Sequence, residues 1–421
     1  MNILIKSASV IDPKGKYHNK IRDILIENGV IKKIAPKIKE GKAMTYTAKN
    51  LHISIGWMDL HANFRDPGFE YKEDIISGCK AAAKGGFTGV LLMPENNPIT
   101  DNNSQVEYIK NKAKDNIVSV HAAGSITKEM QGNQIAEMYD MKEAGALAFT
   151  DDKKSLQNNE IIKHALLYTK DFDGLIMNFA NDKSIANRGQ MHEGKVSTIL
   201  GLKGIPAIAE EIMIDRDISI CKYTESKLHL SYISTKNSVS KIKKAKKEGS
   251  KISADVALHN LILTDKEITH FDTRYKVIPP LRSKKDCIAL IKGLKDGTID
   301  VICTDHSPED EENKKTEFNN AAFGIIGLES AFGLIGKYLR QHLSLGEIIE
   351  KIAINPRELL QLESKNIEEG NTANLTLFNP DLEWEFQKKD IESKSINTPF
   401  LGERLKGKAL AIYNNEKFLE L

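Results

Sequence analysis

Between about residues 50 and 310 this chain changes from a short apolar strand to a helix-forming segment eight times over, and that alternation limits the fold more than any other feature. The candidate strands are 52–62, 89–94, 118–125, 146–152, 174–180, 227–234, 251–259 and 300–306. Each is followed by a stretch with helical spacing of apolar residues, such as EDIISGCKAAAKGG or SVSKIKKAKKEG. Gly85, Gly86, Gly145, Gly249 and Gly297 stand where such helices should end. Eight βα units predict an α/β chain whose middle is a (β/α)8 TIM barrel. A doubly wound open sheet is the alternative, but no GxGxxG follows the first strand.

The two ends read differently from the middle. MNILIKSASVID and KIRDILIENGVIKKIAP are β-rich and broken by Pro13-Lys14-Gly15 and Asn28-Gly29. The last fifty residues resemble them, with ANLTLFNP and ALAIYNNEKFLEL. A chain of 421 residues exceeds the roughly 250–300 at which one core stops growing. The expected division is a small composite β-sandwich domain built from both termini, 1–52 and 365–421, around a barrel at 53–364. The formal net charge of +2 gives no general field for nucleic acid or anionic lipid. No apolar run is long enough to span a bilayer, and the first residues lack a secretory pattern. Four scattered cysteines form neither a CxxC pair nor a disulfide framework, so a cytoplasmic setting is expected.

In such a barrel, chemistry sits at the C-terminal ends of the strands. The residues there are Asp59-Leu60-His61-Ala62-Asn63-Phe64-Arg65, then Glu95, then Thr150-Asp151-Asp152, then Asn178. His229 and Tyr232, His259, and Thr304-Asp305-His306 complete them. The runs DLHANFRDPG, KEDIISGCKAAAKGGFTGVLLMPENNP, AFTDD, HEGK, GLKGIPAIAEE, STKNSV, PPLR, DGTIDVICTDHSP, FGIIGLESAF and NTPF follow in order. Together they resemble a dihydroorotase of the long type, within the cyclic amidohydrolases, and the resemblance runs nearly end to end.

That resemblance implies a site with two zinc ions sharing a hydroxide. A pair of first-strand histidines and a strand-8 aspartate hold metal, a strand-4 aspartate bridges, and histidines of strands 5 and 6 hold the second ion. The strand-8 aspartate also shuttles a proton, and an arginine after the first pair binds the substrate carboxylate. Carried over, His61, Asp152 and Asp305 match metal positions, Asp305 matches the proton shuttle, and Arg65 matches the carboxylate fork. Asn63, Asn178 and Tyr232 stand where three histidines are expected, and Lys153 stands where a glycine follows the bridging aspartate. Three further contacts differ: Glu95 replaces the asparagine of MPN, Ile278 the asparagine before PPLR, and Glu309 the second histidine of D-H-x-P-H. A neutral amide is a weak zinc ligand, and a phenol must first lose a proton of pKa about 10.

The residues also have blander readings. Apart from the resemblance, His61 reads more readily as a hydrogen-bonded core histidine than as a ligand, Asp152 and Asp305 read as helix N-caps, and Arg65 as a surface partner of Asp66 or Glu70; with the resemblance, His61, Asp152 and Asp305 read as relics of the metal site. His259 reads as core and loop support, KKAKKEGSK (243–251) as a solvated helix face, and PEDEENKKTE (308–317) as a flexible, exposed loop. Two functions are expected from these residues. The first is a non-catalytic dihydroorotase homologue of pyrimidine biosynthesis, a structural partner of aspartate carbamoyltransferase. The second is an active enzyme with one metal, converting N-carbamoyl-L-aspartate to L-dihydroorotate or acting on another small cyclic amide. Either way zinc is expected at one per chain at most, or none, in a homo-oligomer.

Overall fold

The computed structural model describes residues 2–39 and 41–421; Met1 and Glu40, both inside the expected first β segment, lie outside the described residues. Eight parallel strands form the central sheet: Trp57–Ala62, Phe87–Leu92, Ser119–Gly124, Ala148–Phe149, Ile176–Phe179, Leu228–Ser231, Ile252–Ala257 and Val301–Cys303. They pair in chain order, and a parallel bridge between Ala62 and His306 brings the last strand back to the first. The (β/α)8 barrel is therefore present, and the open-sheet alternative falls.

The strand residues explain the architecture. Every residue of Trp57–Ala62 and of Phe87–Leu92 is buried, as expected for a parallel sheet covered on both faces. Met58, Leu60, Leu91, Met177 and Val301 cluster although they come from strands 1, 2, 5 and 8. Strand 5 can reach strands 1, 2 and 8 only across a barrel interior. A second, larger core lies between the strands and the surrounding helices. Between strands 5 and 6 the chain adds a feature the sequence pattern did not reveal. A two-stranded parallel pair, Met191–His192 with Gly204–Ile205, precedes the 18-residue helix Ala207–Thr224.

The termini build one further sheet together. Ile3–Ile11, Ile21–Glu27, Val30–Ala35, Met44–Tyr46 and His52–Ile55 join Leu375–Glu385, Arg404–Asn414 and Lys417–Glu420. The seam is the antiparallel pairing of His52–Ile55 with Leu375–Phe378. Ile3, Ile5, Val10, Ile53, Leu375 and Leu377 give this composite β domain its own apolar core. It meets the barrel where the helix Ala331–Tyr338 lies on Arg404–Asn414. Gly336 packs so closely that a Cβ there would lie 1.7 Å from the Lys406 carbonyl oxygen. Among the described residues no helix is long and apolar enough to cross a membrane.

Candidate functional site

The site residues come from the C-terminal ends of the barrel strands. His61 is on strand 1, and Asn63 and Arg65 follow it. Asp152 follows strand 4, Asn178 lies on strand 5, Tyr232 follows strand 6, and Asp305 follows strand 8. All seven are buried. Arg65, Asp152, Tyr232 and Asp305 all have positive φ, between 45° and 58°. Non-glycine residues hold this left-handed conformation uncommonly. Here four strand-to-loop turns of one barrel end share it.

His61 is not free to use its Nε2. That atom bonds to Asp255 Oδ2 on strand 7, and the same oxygen accepts from His229 Nε2 at 2.7 Å. His229 Nδ1 meets Ser253 Oγ at 2.8 Å, and His61 Nδ1 faces the Met93 thioether at 3.3 Å. Asp255 Oδ1 accepts the backbone N–H of Tyr232 at 2.7 Å. Burial alone would push the Asp255 carboxyl up, but the two imidazoles hold it well below the usual carboxylate range. Burial opposes the charge of His61, yet Asp255 outweighs it and raises the His61 pKa. Among the described residues, His61, His229 and Asp255 are the group of His, Cys, Asp or Glu whose donor atoms lie close enough to share one ion. An ion there would displace both hydrogen bonds.

Asp152 and Asp305 face a lysine. Lys153 Nζ lies 2.6 Å from Asp305 Oδ1 and 2.9 Å from Oδ2, and 3.3 Å from Ser307 Oγ. The ammonium also sits 5.2 Å from the centre of the Tyr232 ring. Tyr232 donates its hydroxyl to Asp152 Oδ1 at 3.1 Å. Burial, with the charges of Asp152 and Asp305 beside it, pushes the Tyr232 phenol well above its ordinary value. Burial raises Asp152 as well, against the pull of Lys153. Neither aspartate caps a helix; the neighbouring Asp151 takes the backbone role instead, accepting from the N–H groups of Ile126 and Thr127.

The strand-5 ligand position is similarly committed. Asn178 Nδ2 donates to Asp217 Oδ2 at 2.7 Å. The Tyr232 ring packs with Phe179, Ala257, Cys303 and Ile278, so this quarter of the site is apolar. Asn63 Oδ1, Asp152 Oδ2 and His259 Nε2 are buried without a hydrogen-bond partner.

Arg65 does not pair with Asp66 or Glu70 at the surface. Its guanidinium is buried and held by Glu95 Oε2 at 3.1 Å and Glu309 Oε1 at 2.9 Å. Lys72 Nζ adds a contact to Glu309 at 2.6 Å. The segment 308–317 is exposed over much of its length but is not a free loop. Pro308, Glu309 and Lys314 are buried, and Lys314 donates to the carbonyls of Ala322 and Gly324. Asp272, Arg274, Glu309, Lys314, Lys394 and Asn397 line part of a cavity of about 750 Å³ beside it.

Two partners escaped the sequence reading. Asp255 carried a visible signal, an acid inside an apolar strand segment. His259, read as core support, faces Asp305 Oδ2 at 3.7 Å, and burial pushes its pKa down to about 4.

The family model for Dihydro-orotase-like proteins matches residues 52–238. The dihydroorotase of Ruminiclostridium cellulolyticum is 42% identical over 410 residues, covering 97% of this chain and 96% of that protein. The dihydroorotase of Acetivibrio thermocellus is 42% identical over 408 residues, covering 96% of both. Among solved structures, an L-hydantoinase from Arthrobacter aurescens superposes with a TM-score of 0.87 at 20% identity, covering 99% of this chain and 96% of its own. A D-hydantoinase superposes with a TM-score of 0.84 at 20% identity, covering 100% and 95%. These structures share the fold.

Proposed function

The chain belongs to the dihydroorotase family, and from that membership we propose that it serves pyrimidine biosynthesis in the cytoplasm as a non-catalytic member, a structural partner of aspartate carbamoyltransferase. The observation that carries this reading is the state of Arg65. In the family this guanidinium takes the substrate carboxylate as a fork. Here Glu95 and Glu309 already hold it at 3.1 and 2.9 Å. A dihydroorotate or N-carbamoyl-aspartate carboxylate would have to displace two carboxylates of the protein and then sit beside them, where like charges repel.

The donors do not fit a binuclear zinc centre. Three of its six positions hold Asn63, Asn178 and Tyr232. Asn178 is spent on Asp217, and the Tyr232 phenol is pushed away from ionisation. Thiolate, imidazole and carboxylate are what zinc takes. The orphaned Asn63 Oδ1 and Asp152 Oδ2 leave some donor capacity, so the reading is one zinc per chain at most. With no metal hydroxide to build on, no hydrolytic step is assigned. What the residues here do is hold each other: Arg65 with two glutamates, Asp305 with Lys153, and Asp255 with two histidines.

A second reading is favoured by one observation. His61, Arg65, Asp152 and Asp305 are retained and buried at one barrel end, and the His61–His229–Asp255 group is close enough for a single ion. On that reading the protein is a one-metal dihydroorotase or cyclic amidase.

The deciding experiment is purification in the presence of zinc, followed by metal analysis and an assay of dihydroorotate hydrolysis. At most one zinc per chain with no turnover is expected. More than one zinc with ordinary turnover overturns the non-catalytic reading. Gel filtration with aspartate carbamoyltransferase of the same organism tests the partner: a shared peak is expected, and separate elution removes the scaffold role.

A further inference from the structure

We propose that the Lys153 ammonium is the resident cation of the barrel centre, supplying the counter-charge that a metal ion would give Asp305, so that this chain orders its central carboxylate without metal. The proposal deepens the reading above and rests on it. Its ground is geometric. Lys153 follows Asp152 directly, at a position where the resemblance has glycine and therefore no side chain. Its ammonium donates to Asp305 Oδ2 and Ser307 Oγ at 2.9 and 3.3 Å and lies 2.6 Å from Asp305 Oδ1 as an ion pair. The remaining face of the ammonium lies over the Tyr232 ring at 5.2 Å, where the ring quadrupole favours a cation. Tyr232 itself stands at a lost ligand position. The residue that brings the charge and the residue that removes a metal donor therefore touch each other.

The alternative is an ordinary surface ion pair, and exposure argues against it. The Lys153 and Asp305 side chains are 16% and 1% exposed. Exposed pairs contribute little, whereas removing one member of a buried pair strands the other in a medium that solvates it poorly. An ion entering at Asp305 would also have to expel Lys153 and leave the ammonium without its acceptors.

The test is melting temperature, with zinc chloride and with a chelator as the only additives. The parent is expected to melt at the same temperature in both. Lys153→Met is expected to melt several degrees lower, and Lys153→Arg, which keeps the charge, close to the parent. In the Asp305→Asn background the Lys153→Met loss should largely vanish. A parent that carries one zinc and loses several degrees on chelation overturns the proposal, as does a Lys153→Met variant as stable as the parent. If Lys153→Met does not fold, Lys153→Arg decides: a folded Arg variant supports the charge, and an unfolded one overturns it. Turnover is read separately. Hydrolysis by a chelator-insensitive parent sinks the non-catalytic reading but not this one. Chelator sensitivity without hydrolysis does the reverse.

Discussion

The Arg65 guanidinium and the Glu309 carboxylate meet at 2.9 Å beneath the barrel mouth, both buried, although 244 positions separate them in the chain. Glu309 is held from its other oxygen by Lys72 at 2.6 Å. Arg65 thus sits in a closed ion network. Replacing it with methionine leaves Glu309 with Lys72 alone. Loss of one member of a buried pair costs roughly 3–5 kcal/mol. Arg65→Met is expected to lose about that much in urea unfolding, and a loss under 1 kcal/mol would mean that the pair is effectively solvated. Glu95, with its side chain 39% exposed, contributes less, so Glu95→Gln should cost well under half of that figure.

The same network predicts a gain of binding. Glu95→Asn with Glu309→His returns both positions to the residues of the family pattern and releases the guanidinium. N-carbamoyl-L-aspartate should then give measurable heat in titration calorimetry, with a Kd of millimolar order, about −4 kcal/mol. The parent should give none. Equal heats from both proteins would show that Glu95 and Glu309 do not compete with the ligand.

Much of this was legible in the sequence, for reasons that also mark where legibility ends. The eight strands are apolar runs bounded by helices, a local signal, and the barrel follows from their count. His61, Asp152, Arg65 and Asp305 were found because each sits in a contiguous motif. Their partners were not found, because nothing local links them: Asp255 reaches His61 across 194 positions, and Lys153 reaches Asp305 across 152. Arg65 was open to a surface reading with Asp66 or Glu70 because neighbours in sequence are the only partners a sequence offers. The segment 308–317 read as a free loop because its composition is charged; burial of Lys314 against two carbonyls is a tertiary fact.

Restoring the missing histidines tests the metal reading. Asn63→His, Asn178→His and Tyr232→His together return the three lost imidazoles. With Lys153 still paired to Asp305, this triple variant is expected to hold one zinc at most by metal analysis. Adding Lys153→Gly should raise the content toward two per chain. Hydrolysis is not expected even then, because Glu95, Ile278 and Glu309 keep the substrate side altered. Two zinc ions in the triple variant alone would show that Lys153 is no obstacle.

The junction of barrel and β domain should be intolerant of one methyl group. A Cβ at Gly336 would fall 1.7 Å from the Lys406 carbonyl oxygen, which belongs to a paired strand and has little room to move. Overpacking of this kind costs roughly 1–3 kcal/mol, and more where backbone must shift. Gly336→Ala is expected at or above the top of that range in urea unfolding. Gly370→Ala provides a contrast, since nothing lies within 4 Å of its Cβ position; its φ of 90° alone should make it mildly destabilising.

Part of the acid sensitivity can be assigned to a histidine far from the site. His121, on strand Ser119–Gly124, has its pKa pushed down to about 4, first by burial and then by the Arg357 charge. A base with a depressed folded-state pKa stays neutral in the fold and takes up its proton more readily when unfolded. Its stabilising share is therefore complete above about pH 6.5 and is lost as pH falls from there toward about 4. At pH 5 the deficit is of the order of 2 kcal/mol, from about 1.5 pH units at 1.36 kcal/mol each. His121→Gln removes that proton uptake. Its stability relative to the parent, measured by urea unfolding, should improve by about 2 kcal/mol between pH 7.5 and pH 5. A gap that stays constant over that interval would mean that His121 titrates alike in the folded and unfolded chains.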